Sequence, residues 1–151
     1  MTAKRYIHYG HNDFSKEAFA PIKNRRVSNK PYGGLWASPV DAPFGWKNWC
    51  KDAGFRECSE ENSFEFSIAP EAKILVIDSS AKAKRLPQRP LSVDELGIRG
   101  LLPVTPDFER LAEVCDAIEF RLSDDRSLYH TMYCWDCDSI LIMNPDIIRA
   151  V

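Results

Sequence analysis

The sequence predicts an α+β fold, because short β-rich runs and scattered helical signals follow one another along 151 residues without regular strand–helix alternation. Residues 4–10 (Lys-Arg-Tyr-Ile-His-Tyr-Gly) are rich in β-formers and stop at a glycine, which marks the first strand. A short helix is expected near 15–19, with Ser15 as its cap. Residues 21–34 hold Pro21, Pro31, Gly33 and Gly34 among Lys23, Arg25, Arg26 and Lys30, so they read as a cationic loop. Leu35-Trp36-Ala37-Ser38 forms the second strand and ends at Pro39.

Trp46, Trp49 and Cys50 share one face of a helix within 43–53, since residues three and four apart are neighbours on a helix. Residues 64–68 alternate as a half-buried strand, whereas 73–78 are continuously apolar and suggest a more central one. Residues 80–105 carry three prolines and two glycines and are expected to be irregular, with a capping box at 92–95 opening a short helix. The clearest helix begins at Thr105-Pro106-Asp107-Phe108, with Thr105 at the N-cap, Pro106 in the first turn and Leu111, Val114 and Cys115 as its apolar stripe. Residues 118–122 alternate as a strand in which Glu119 reads as solvent-facing, as Glu65 does in its own strand. A last buried strand runs over 138–144 and stops at Asn144-Pro145. Five or six strands in one domain over 1–151 are expected.

At this length a domain buries roughly 70% of its unfolded surface, enough for a core without metal or disulfide staples. The net charge of −2 gives no general electrostatic reason to bind nucleic acid or an anionic membrane. No apolar run reaches the ~20 residues of a membrane span, and the basic N-terminus lacks an apolar signal segment behind it. Five cysteines, an odd number, fit free thiols in a reducing cytoplasm. Cys134-Trp135-Asp136-Cys137 has CxxC spacing, but Cys50, Cys58 and His130 supply no second half-site of the zinc kind, so no metal is expected. There is no Walker loop and no GxGxxG fingerprint.

The unusual segment is Lys30-Pro31-Tyr32-Gly33-Gly34-Leu35-Trp36-Ala37-Ser38-Pro39. Paired glycines before a strand admit a ligand or another backbone at close range, and the aromatic residues offer a surface for a flat ring. Together with His8-Tyr9-Gly10 and the aromatic helix behind it, this segment resembles the ADP-ribosyltransferase fold of diphtheria toxin and the poly-ADP-ribose polymerases, a split β-sheet with short peripheral helices. The resemblance covers roughly residues 5–50 and 133–145.

That resemblance implies NAD as substrate and an acceptor, protein or nucleic acid, for its ADP-ribose. Gly10 would meet the nicotinamide amide. The family's histidine stands directly before that glycine, where this chain has Tyr9, with His8 one step earlier; along a strand the two face opposite ways, so only one points into the pocket. Trp36 or Tyr32 would stack on nicotinamide, with Gly34 and Ser38 beside it. Asp138, helped by Asp136, would take the place of the catalytic acid, which the family usually supplies as Glu. Two alternatives stand beside this one: a non-catalytic nucleotide- or peptide-binding domain, and an RNA 2′-phosphotransferase-like enzyme on the same fold, using Arg5, Arg25 and Arg26 for phosphate.

Overall fold

The computed structural model describes residues 2–26, 28–89, 104–133 and 135–151. Seven strands form one mixed sheet: β1 (Arg5–Tyr9), β2 (Leu35–Pro39), β3 (Ser63–Ile68), β4 (Ile74–Ile77), β5 (Ala117–Phe120), β6 (Ser139–Ile142) and β7 (Ile148–Ala150). Their order is β4-β5-β6-β2-β1-β3-β7, antiparallel except for the β4–β5 pair. The described residues also form four α-helices, α1 (Trp46–Ala53), α2 (Ser80–Lys84), α3 (Phe108–Val114) and α4 (Arg126–Thr131), and four single 3-10 turns. The architecture is α+β.

Alternation assigns the two faces of the sheet. Leu75, Ile77, Ile118, Phe120 and Leu141 point to one side, where Ala83 of α2, Phe108 and Leu111 of α3 and Leu128 of α4 cover them. Trp135 fills the middle of that layer, 4.2 Å from Phe120 and 5.8 Å from Phe108 between ring centroids. The second cluster comes almost wholly from strands: Tyr6 and Phe66 from β1 and β3, with Ala117, Ile140 and Ile142 from β5 and β6. β1 and β5 are three positions apart, about 14 Å in a flat sheet at ~4.8 Å per strand. The sheet therefore bends over its own face, and Tyr6 and Lys4 reach Glu119 across the fold.

Several expectations need correction. β4 is an edge strand; its unbroken apolar run reflects cover on both faces, not a central place. Glu119 is 1% exposed, clasped by Lys4 at 2.9 Å and by Arg121 at 2.8 Å, so its alternation within the strand turns it inward. Glu65 is half-buried and pairs with Arg5. Asp107, rather than Thr105, caps α3 by accepting from the Arg110 amide, because the Thr105 hydroxyl is already committed to the Arg89 carbonyl. Phe108 and Leu111 carry that helix's buried stripe, and Val114 is exposed.

The Ser15 helix is a single 3-10 turn over Lys16–Ala18, without a side-chain cap. α2 forms within a stretch expected to be irregular, and Arg126–Thr131 and Ile148–Ala150 lie where no element was expected; all three are too short to show a period. The helix expected after Ser92 lies outside the described residues. Among the described residues, no helix is long and apolar enough to cross a membrane.

Candidate functional site

The sheet opens between β1 and β2. Their ladder holds only Tyr6↔Pro39 and Ile7↔Ser38, after which β1 stays with β3 as far as Tyr9↔Ser63 and β2 stays with β6 as far as Leu35↔Ile142. At the fork the His8 imidazole replaces the next backbone bond, its Nδ1 lying 2.6 Å from the Trp36 carbonyl oxygen. A carbonyl can only accept, so Nδ1 carries the proton and, in the neutral ring, Nε2 keeps its lone pair, which meets the His11 Nδ1 at 3.4 Å. Burial outweighs this bond and holds the His8 pKa below the ordinary 6.5.

A cavity of about 270 Å³ occupies the fork. That is slightly below the usual range for ligand pockets, which begins at roughly 300 Å³, and leaves room for about one ring and its sugar. His8 and Tyr9 both border it. Strand alternation alone would admit only one of them; a cavity at the open edge of a strand, rather than on one face, meets both. Trp36 forms a wall, backed by Trp135 at 4.8 Å, whose indole N–H is anchored on the Asn29 carbonyl at 3.0 Å.

Ser38 is buried at the back of the cavity. Its hydroxyl accepts the Trp46 amide at 2.9 Å and so caps the start of α1, whose own N-cap, Gly45, has no side chain for the task. That bond brings Trp46 onto the cavity wall. At the other end of α1, Gly54 (φ 61°) turns the chain back and delivers Arg56 to the same cavity. Sequence reasoning missed Arg56; the Gly54 helix stop two residues before it was the available signal.

The remaining candidates are placed differently. Asp136 borders the cavity, and its carboxylate lies 3.9 Å from the Lys30 ammonium. Asp138 is 3% exposed and turned away: it accepts the Ser123 amide at 2.8 Å and the Ser123 hydroxyl as well. Gly10 (φ 128°) donates its amide to the Asn62 carbonyl at 2.9 Å and does not border the cavity. The close neighbour of the glycine pair is protein backbone: a Cβ on Gly34 would stand 2.7 Å from the Ile142 carbonyl oxygen. Tyr32 lies outside the cavity, 58% exposed, beneath the Arg25 guanidinium.

The electrostatics of the lining are one-sided. Arg25, Lys30 and Arg56 face a single carboxylate, Asp136. Burial pushes the neighbouring Cys137 thiol up to about 12, so it is a neutral wall and not a nucleophile at physiological pH. Cys134 lies outside the described residues, among which no three His, Cys, Asp or Glu side chains are grouped as a metal site would need. An aromatic wall, a histidine lone pair and a surplus of cations suit a flat ring joined to an anionic group. No family model matches the chain, and no curated protein or solved structure shows significant similarity to it.

Proposed function

We propose that the protein is an ADP-ribosyltransferase-like domain that holds the nicotinamide riboside end of NAD in the fork between β1 and β2. The observation that carries this reading is the fork itself, where His8, Trp36 and Ser38, chosen on the resemblance, border one cavity with three cations. Nicotinamide would lie against Trp36, and the His8 Nε2 would exchange its long contact with His11 for a ribose hydroxyl. Arg25, Lys30 and Arg56 would meet the pyrophosphate where the dinucleotide leaves the cavity.

In this reading the carboxylate nearest the reacting sugar is Asp136, since Asp138 is engaged by Ser123. The bond from ribose C1′ to the nicotinamide nitrogen breaks with its electron pair going to nicotinamide, and the sugar gains oxocarbenium character that a fixed carboxylate stabilises. An acceptor hydroxyl or amine, or water, then adds to C1′ and loses a proton. Lys30 must yield Asp136 to the sugar as its ammonium turns toward phosphate.

Calorimetric or thermal-shift titration with NAD, followed by mass spectrometric detection of nicotinamide, tests the reading. Saturable binding with release that Asp136→Asn abolishes is the expected result. Absence of binding sinks it; binding without release leaves a non-catalytic nucleotide-binding domain.

The surplus of cations gives a second reading some support: transfer of a 2′-phosphate from RNA to NAD on the same fold. Loss of phosphate from a 2′-phosphorylated oligonucleotide in the presence of NAD distinguishes it.

A further inference from the structure

Each of the three cations at the cavity lies over an aromatic ring. Arg25 sits 4.2 Å from the Tyr32 centroid, Lys30 5.9 Å from that of Trp36, and Arg56 4.7 Å from that of Phe55. Beside Arg56 the rings continue outward. Trp46 stacks on Trp49 at 5.0 Å and 17°, and Phe55 abuts both, at 5.9 and 5.4 Å. Of these three rings only Trp46 borders the cavity.

Trp46, Trp49 and Phe55 pack on one another outside the main core. Tyr32, Trp46, Trp49 and Phe55 belong to neither apolar cluster, and Phe55 is 52% exposed. The chain thus holds a run of rings at the surface, interleaved with cations and leading out of the cavity on the Arg56 side, with Tyr32 and Arg25 also at its border. Lys47 and Lys51 add exposed positive charge on α1, while Asp52 and Glu57 limit it.

Rings interleaved with cations match a chain of bases interleaved with phosphates. Such a surface needs bases with free faces, which a duplex hides. A purely apolar partner would gain nothing from the guanidinium groups, and an acidic peptide would gain nothing from the rings.

We infer that the cavity mouth binds single-stranded nucleic acid, its bases stacking on Trp46, Trp49 and Phe55 and its phosphates meeting Arg56, Lys30 and Arg25. The strand and the NAD of the reading above would call on the same three cations and so would compete at the cavity mouth; the binding itself does not rest on that reading. No contact on this surface singles out a 2′-hydroxyl, so the shared chemistry of DNA and RNA single strands is the ligand class.

The test is fluorescence anisotropy of the full chain with labelled oligomers of about 12 thymidylates or uridylates. Binding at low salt is expected, with log affinity falling against log salt at a slope of about −2, as three phosphate contacts give at ~0.7 each. Phe55→Ala, at an exposed position, is expected to weaken binding about tenfold with native melting temperature and an unchanged response to NAD, and Trp49→Ala to weaken it likewise with a lower melting temperature, since Trp49 packs on Trp46. Tighter binding of one oligomer assigns the strand as DNA or RNA.

Absence of binding at low salt overturns the inference. So does equal affinity for poly-glutamate or duplex DNA, which would reduce the surface to its charge, and so does a Phe55→Ala variant that binds like the native protein. Oligomer binding that depends on these rings in a protein that ignores NAD upholds this inference while removing the earlier reading.

Discussion

The Nδ1 of His8 donates to the carbonyl oxygen of Trp36 at 2.6 Å, at the point where β1 and β2 stop pairing. One side chain thus satisfies a backbone acceptor that the ladder has abandoned, and the cavity opens beside it.

This relationship makes stability depend on pH. The folded pKa of His8 lies below its unfolded value, so the unfolded chain takes up the proton first. His8 should penalise folding progressively as pH falls below about 6.5, and not above it. Its stacked neighbour His11, 5.6 Å away, reinforces the penalty when charged. Melting curves between pH 7.5 and about 5 should show a decline that His8→Gln reduces. Asp78, Asp107, Asp116 and Asp125, all held below their ordinary value of 3.8 by hydrogen bonds, give a separate loss only below that value.

Asp136 and Asp138 should part company on substitution. Asp138→Asn weakens two bonds to Ser123 inside the fold and should cost about 2 kcal/mol in urea denaturation. Asp136→Asn removes one long, partly exposed ion pair and should cost less than about 0.5 kcal/mol; on the proposed NAD reading it should also eliminate nicotinamide release. Unchanged release would exclude Asp136 as the acting carboxylate.

Glu119 carries the largest charge burial among the described residues, with Tyr6 pushed well above its ordinary value by burial and then by that carboxylate. Breaking a fully buried pair costs about 3–5 kcal/mol, but Lys4 and Arg121 keep more than a third of their exposure, which lowers the expected cost of Glu119→Ala to about 2 kcal/mol. For a chain of this size that is a fall of about 4–8 °C in melting temperature. Spectrophotometric titration should also show one tyrosine ionising at lower pH than in the native protein.

Two glycines at positive φ should respond unequally to alanine. Gly33 (φ 81°) would drive a Cβ onto the Pro21 carbonyl, adding a backbone clash to the left-handed strain, for a loss above about 3 kcal/mol. Gly54 (φ 61°) has nothing within 4 Å of the added atom, so Gly54→Ala should cost only about 1 kcal/mol of backbone strain. Denaturant midpoints measured for the two variants decide this.

Local chemistry made much of the chain readable. A β-rich run ending at Gly10, the 46/49/50 stripe of α1, and the run from Ile140 to Ile142 follow from side-chain period and chain breakers, and each forms near where it was expected. The α+β class followed from the same signals, whereas the closeness of His8 to the Trp36 strand was implied only by the family resemblance. What the sequence could not decide was direction across the fold. Glu119 looks solvent-facing in its own strand and becomes buried because the sheet bends to bring Lys4 and Tyr6 onto it. Asp138 looks like a site acid and is claimed by Ser123, fifteen residues away. Arg56 has no motif and enters the cavity because Gly54 reverses the chain. Period is a property of neighbouring residues, whereas orientation depends on which distant strand the sheet folds against; only the tertiary structure supplies that.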